Sequence, residues 1–270
     1  MQIQKSSKKP YLSIIIPAYK QQKTIQKDLH KIKIIAEEIS HTYEIIVVVD
    51  GKIDKTQEEA RKVRSPKIKV VGYAHNRGKG YAVRFGMAYA KGKIISFLDA
   101  GMDLNPQSLL LLVDYFKMQK ADIVIGSKLH PLSRVNYPWQ RKLLSSVYRW
   151  VVKVLFGLSV RDTQVGLKLY RRKVLEDVLP RLLVKTFAFD IEMLSVAHRI
   201  GYTRIFEAPI ELKYTRWSSI TSKNFWKIIY YMLWDTLAVF YRLRILRYYD
   251  EKSKRKWRYD PELNFRINIG

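Results

Sequence analysis

Between residues 12 and 127, short unbroken apolar runs alternate with segments whose apolar positions recur at steps of three and four. Leu12-Ser13-Ile14-Ile15-Ile16 reads as a buried strand stopped by Pro17. Ile25, Leu29, Ile32, Ala36 and Ile39 then share one face of a helix. Further strands are expected at Glu44 to Val49, Ile68 to Val71, Ile94 to Leu98 and Asp122 to Gly126. Helices are expected at Thr56 to Arg64, Gly80 to Ala90, and from near Pro106 through Phe116. Such alternation with short connections predicts an α/β fold, a mostly parallel sheet flanked by helices on both faces. Ligands of these sheets sit at the carboxyl ends of the strands. Asp50, Asn76 to Gly80, Asp99 and Ser127-Lys128 all fall just past strand ends, on one rim.

The second half is less regular. Trp139 to Phe156 predicts a basic amphipathic helix, Leu167 to Tyr170 a short strand, and Asp190 to Ile200 a helix. Thr203 to Tyr214 offers two short strands around Pro209. Asn224 to Tyr249 reads as one long helical stretch or a helix pair, with Trp226, Tyr230, Tyr231, Trp234, Phe240, Tyr241, Tyr248 and Tyr249 interleaved with Lys227, Arg242, Arg244 and Arg247. Aromatic and basic residues on an amphipathic helix suit a membrane interface. They equally suit a helix packed on its own domain with a snorkelling edge. Lys252 to Gly270 has no periodicity and is expected to be a loosely held polar tail.

At 270 residues and 47% hydrophobic content, the chain can bury a large core. It has no cysteine, which excludes disulfides, thiolate metal sites and a Cys nucleophile. Met1 to Pro10 is basic with no apolar stretch, so no signal peptide is expected. No apolar run reaches the length of a membrane span, and Asp235 interrupts the nearest candidate, Ile228 to Phe240. The net charge of +26 calls for an anionic partner: nucleic acid, an acidic membrane surface or phosphorylated small molecules. No helix-turn-helix, zinc or RNP-like pattern accompanies it, so no specific nucleic acid is expected.

Asn76-Arg77-Gly78-Lys79-Gly80 suits a diphosphate. Its glycines let backbone N–H groups approach oxygens, Arg77 and Lys79 add charge, and a helix N-terminus follows. A plain surface turn has the same composition. Asp99 could hold a divalent cation bridging phosphates, or simply close a turn. Asp190-Ile191-Glu192 offers carboxylates for orienting a hydroxyl or for general-base work, against N-terminal capping. The loop Arg161 to Gly166 reads as an active-site wall or an ordinary turn, and Lys128, Arg134 and Arg141 are spare cations near the rim.

In sequence order, Ser13 to Tyr19, Asp50-Gly51 with Asp54, Asn76 to Gly80 followed by Ala82-Val83-Arg84, Asp99-Ala100 and Gly126-Ser127-Lys128 resemble the catalytic domain of family-2 glycosyltransferases. Asp162 to Leu169 and Phe187 to Glu192 are similar to its dolichyl-phosphate glucosyltransferase and mannosyltransferase branch, the glucosyl side being closer. The resemblance covers about Leu12 to Ser219. It implies a GT-A (Rossmann-like) fold over residues 11–222, with a nucleotide-binding half to about 128 and an acceptor half beyond. A basic arm 1–10, amphipathic helices 223–250 and a tail 251–270 would flank it.

The resemblance also implies an inverting hexosyl transfer from a UDP- or GDP-sugar to a polyprenyl or dolichyl phosphate, by an enzyme held peripherally at the cytoplasmic membrane face. Another acceptor, such as a surface glycan or glycolipid, or a degenerate non-catalytic binder are the competing readings. Pro17, Ala18, Tyr19, Asp50, Arg77, Lys79, Asp99 and Ala100 would bind the donor. Lys128, Arg141, Gln164 and Lys168 would meet phosphate or acceptor, and Asp99, Asp190 and Glu192 would be catalytic. Asp99, with Asp103 as a substitute second ligand, would hold Mg²⁺ or Mn²⁺. Three positions depart from the family pattern. Val49 stands where an acid is common, Gly101 replaces the second Asp of Asp-x-Asp, and Lys20-Gln21 replaces Asn-Glu.

Overall fold

The computed structural model describes residues 9–101, 105–135, 139–185, 188–212, 225–250 and 256–268, without the side chains of 139–145, 225–228 and 268. Its first part runs β1 (Leu12–Ala18), α1 (Ile25–Glu38), β2 (Tyr43–Asp50), α2 (Thr56–Lys62), β3 (Ile68–Tyr73), α3 (Lys79–Tyr89), β4 (Ile94–Leu98), α4 (Ser108–Met118) and β5 (Ile123–Ser127). After a short β6 (Arg134–Val135) come α5 (Trp139–Phe156), β7 (Leu167–Arg171), α6 (Arg172–Val178), α7 (Phe189–Arg199), β8 (Ile205–Pro209) and β9 (Glu211–Leu212). The chain continues through α8 (Phe225–Phe240), a π-helical turn at Tyr241–Ile245, and a hairpin of β10 (Trp257–Asp260) and β11 (Phe265–Asn268).

The central sheet has the order β3-β2-β1-β4-β7-β5-β8. Its pairs are parallel except that β7 runs antiparallel to both β4 and β5. The unbroken run Ile14-Ile15-Ile16 is fully buried because both faces of the sheet are covered. One core lies under α1, α2 and α4. The opposite core lies under α3, α6 and α7 and takes in Val152 and Phe156 of α5 and Val239 of α8.

Three expectations are corrected. Pro17 does not stop the first strand, which runs on to Ala18. Pairing with β4 ends at Ile15, so beyond it β1 has a free edge where a missing N–H is tolerated. α6, where the sequence pattern predicts no element, follows β7 directly and buries Val174, Leu175 and Val178. The described part of the tail, 256–268, is not loose: Leu263 is 1% exposed in the main core, the one under α3, α6 and α7, and Phe265 and Ile267 pack beside it. Among the described residues, no helix is long and apolar enough to cross a membrane.

Two consequences of the topology matter for chemistry. The carboxyl ends of β1, β2 and β4 open on one rim, as the alternation predicts. Strand β7, from the second half, inserts beside β4, so Lys168 lies opposite Phe97 and Asp99 follows directly. Residues far apart in sequence are thereby forced together around Asp99.

Candidate active site

A cavity of about 360 Å³ opens on that rim. Pro17, Ala18 and Tyr19 from the end of β1, with Gln21 beyond it, form one wall. Asp50, Asn76, Gly78 and Lys79 form another, and Asp99 and Ala100 after β4 close it. Asp50 is buried and its carboxylate is engaged by the facing loop: it accepts from Asn76 Nδ2 at 3.0 Å and from the Arg77 N–H at 2.7 Å. The loop is also pinned from behind, where Gly80 N–H donates to Lys185 O at 3.1 Å. Helix α3 begins at Lys79, so its positive N-terminal end borders the cavity.

The centre is a chain of alternating charges. Lys79 Nζ lies 2.9 Å from Asp99 and 3.4 Å from Asp190, and Lys168 Nζ lies 2.7 Å from Asp190. Lys168 is 1% exposed and also donates to Val165 O at 2.6 Å, whereas the Asp99 side chain is 42% exposed and faces the cavity. Burial would raise Asp190, but Lys168 and then Lys79 outweigh it and hold its carboxyl below the ordinary range. Burial likewise works against the charged form of Lys79, yet Asp190 and Asp99 together keep its ammonium above the ordinary lysine range. Lys168 is the reverse case: burial, more than Asp190 compensates, pushes it down. A carboxylate clasped by two ammonium groups is a poor proton acceptor, so Asp190 suits positioning better than general-base work.

Gly166 makes this arrangement possible. Asp99 N–H donates to Gly166 O at 3.0 Å, and a Cβ on Gly166 would collide with the Asp99 carboxylate. Gly166→Ala is therefore expected to displace Asp99 and reduce turnover about tenfold or more while the protein still folds. Steady-state kinetics beside circular dichroism checks it, and wild-type turnover in a folded variant would refute the close approach.

The structure separates other residues from this centre. Arg77, expected at the donor, does not line the cavity: its guanidinium turns to Glu262 at 2.7 Å and lies 4.6 Å over the Tyr81 ring. Glu192, expected under the reacting sugar, is fully buried and accepts from Leu183 N–H at 3.0 Å, Val184 N–H at 2.9 Å and the Tyr249 hydroxyl at 2.5 Å. Asp190 and Glu192 are two positions apart on α7, about 200° around the helix, so they point to different places. Lys168, expected to meet a phosphate, belongs to the centre instead, enclosed against Asp190 and away from the cavity. Lys128 lies 3.6 Å from Asp162, and Gln164 Nε2 approaches the Tyr148 hydroxyl at 3.4 Å. Asp103 and the side chain of Arg141 lie outside the described residues.

Sequence reasoning missed Gln21 as a lining residue and Gly166 as the cradle for Asp99. Among the described residues, no three His, Asp or Glu side chains converge as a metal cluster. A divalent ion bound mainly through substrate phosphates needs only one or two carboxylates, and Asp99 offers one, 42% exposed, whose two oxygens share the Lys79 ammonium at 2.9 and 3.0 Å. Among the described residues, the donor set thus fits such an ion with Asp99 as its one protein ligand. Gly101 cannot readily be replaced by the missing second acid, since its φ of +108° disfavours any side chain.

Residues 13–179 match the family model described as glycosyl transferase family 2. The chain is 31% identical over 241 residues to dolichyl-phosphate beta-glucosyltransferase of Drosophila melanogaster, a match covering 80% of this chain and 70% of that protein. The Homo sapiens protein of the same name is 30% identical over 254 residues, covering 87% and 76%. Among solved structures, glucosyl-3-phosphoglycerate synthase from Mycobacterium tuberculosis in complex with UDP is similar with a TM-score of 0.65 at 17% identity, covering 96% of this chain and 87% of that one. The same enzyme with Mn²⁺, UDP-glucose and phosphoglyceric acid gives 0.64 at 17%, covering 93% and 84%. At that identity the likeness speaks to fold.

Proposed function

This chain belongs to glycosyl transferase family 2 and has the GT-A fold, and we propose that it moves glucose from UDP-glucose to the phosphate of dolichol or a related polyprenol. The observation that carries the reading is the charge cluster in which Lys79 and Asp99 line a cavity bordered by a helix N-terminus and Asp190 backs Lys79. Relatives named for glucosyl transfer to dolichyl phosphate support the sugar and acceptor. A similar fold holding UDP-glucose supports the donor.

In this reading an acceptor phosphate oxygen attacks the anomeric carbon as the bond from that carbon to the UDP oxygen breaks. The electron pair leaves with UDP, and the configuration inverts. The phosphate is already anionic at neutral pH, so no strong general base is required. Lys79 and the α3 N-terminus stabilise the charge that grows on the leaving diphosphate. Asp190, fixed by Lys168, keeps Lys79 aimed from behind the cavity wall. Asp99 would hold a Mg²⁺ or Mn²⁺ ion, which when bound would add further positive charge beside the diphosphate. Val49 is buried in the sheet and does not line the cavity, where Tyr19, Gln21, Asp50 and Asn76 are the polar side chains available to the nucleoside.

The lipid acceptor calls for a membrane, and the described face of α5 and α8 suits one. Val147, Trp150 and Val154 project from α5, Tyr230, Trp234 and Leu237 from α8, and Tyr241 from the π-helical turn that follows; Trp150 is 66% and Trp234 61% exposed. The two helices are joined by the Tyr148–Thr236 hydrogen bond at 2.9 Å and the Phe156–Phe240 ring contact. With a net charge of +26, this face is read as resting on the anionic cytoplasmic leaflet. Flotation should find the protein on vesicles containing anionic lipid, with Trp150→Ala plus Trp234→Ala releasing most of it; equal binding by wild type and variant would remove this face from the account.

Calorimetric titration tests the donor. UDP and UDP-glucose are expected to bind at least about tenfold more tightly than GDP-mannose, and more tightly with Mn²⁺ than without. Preference for GDP-mannose would overturn the donor assignment.

A further inference from the structure

We propose that the C-terminal hairpin is a working part of the donor site, with Glu262 as a positioning residue that holds the Asn76–Gly80 loop from outside through Arg77 and Tyr81. This rests on the reading of that loop as the diphosphate wall.

Arg77 is gripped at both ends. Its N–H donates to Asp50 Oδ1 at 2.7 Å, and Asp50 lines the cavity. Its guanidinium donates to Glu262 Oε2 at 2.7 Å and to the Tyr81 hydroxyl at 2.5 Å, and Tyr81 in turn donates to the same Glu262 oxygen at 2.5 Å. Tyr81 lies in the first turn of α3, two residues after the cavity-lining Lys79. One carboxylate therefore ties together the residue that precedes Gly78 and the residue that follows Gly80. The guanidinium also rests on aromatic faces, 4.6 Å from the Tyr81 ring centre and 5.7 Å from that of Tyr73.

The hairpin that carries Glu262 is anchored independently of this contact. Leu263, the next residue, is buried in the main core, with Phe265 and Ile267 packed against it. β11 lies against the helical turn Leu179–Arg181. Glu262 N–H donates to Asp260 Oδ1 at 2.9 Å, which fixes the turn. Glu262 is thus presented by a rigid support, and hydrogen bonds from Tyr81 and Arg77 hold its carboxyl below the ordinary glutamate range. The loop lies within residues 13–179, the segment that matches the family model, and the hairpin lies beyond it.

A brace of this kind sets where the loop sits before the donor arrives, so it acts on donor binding more than on the chemical step. In Glu262→Gln the full-length protein should keep its thermal midpoint, because the group is exposed. Amide hydrogen exchange across 76–81 should quicken several-fold in the ligand-free protein, with the sheet strands unchanged. KM for the nucleotide sugar should rise about three- to tenfold with kcat within twofold. Glu262→Asp, which keeps the charge, should recover part of the loss. Unchanged exchange at 76–81 would overturn the proposal whatever the donor is, and so would faster exchange with an unchanged KM. If exchange quickens as expected while wild type turns over no nucleotide sugar, the brace on the loop stands and the transferase reading is what fails.

Discussion

Asp190→Asn is expected to destabilise the protein by about 3–5 kcal/mol and to abolish measurable transfer. The substitution keeps the volume but removes the charge between Lys168 and Lys79, at 2.7 and 3.4 Å. Lys168 is almost fully buried, and its remaining partner is the Val165 carbonyl, so its charge would be left largely uncompensated. The midpoint of thermal unfolding should fall by roughly 10 °C for a chain of this size. The sign of the pH dependence is also fixed. Asp190 is held below its ordinary range in the folded protein. Its contribution is therefore fully present above the unfolded carboxyl pKa of about 3.9 and is lost as pH falls through the lower folded value. The variant should show a shallower loss of stability in acid than wild type. An unfolding midpoint within a degree or two of wild type would show that the charge chain does not hold the site together.

Asp99→Asn is expected to behave differently, losing about 10²–10³ in kcat/KM with little change in stability. Asp99 is open to the cavity and pairs with Lys79 near solvent, where an ion pair contributes about 1 kcal/mol or less. What the variant removes is one of the two anions that aim Lys79 and, among the described residues, the exposed carboxylate that would hold an ion. Binding of Mn²⁺ in the presence of UDP, followed by electron paramagnetic resonance, should weaken in parallel. Turnover within threefold of wild type would take Asp99 out of the chemistry. The pair of variants separates two roles that the sequence presents alike: an acid that organises the interior and an acid that faces substrate.

The strands of the first half were legible because they are buried on both faces and so read as unbroken apolar runs, such as Ile14 to Ile16. Their carboxyl ends then located the rim, and Pro17, Ala18, Tyr19, Asp50, Lys79, Asp99 and Ala100 do line one cavity. The meeting of Lys168 with Asp190 was not legible as an ion pair. It depends on β7 entering the sheet between β4 and β5, a long-range choice that no local pattern encodes. The divergence of Asp190 and Glu192 could have been foreseen, since two residues two apart on a helix cannot serve one point. The tail also carried a signal that was passed over: Leu263, Phe265 and Ile267 alternate with polar residues, the period of a half-buried strand. Extending β1 past Pro17 required knowing that β4 stops short, which is again a fact of pairing rather than of sequence.

The central claim is tested most directly by incubating the protein with UDP-glucose and a short polyprenyl phosphate in anionic vesicles, then identifying the lipid product by mass spectrometry and its anomeric configuration by NMR. The account predicts a β-linked glucosyl phosphate lipid formed one-for-one with UDP, and none from Asp99→Ala. UDP release that yields no glycosyl phosphate lipid, or glucose recovered only on hydroxyl acceptors, would contradict it.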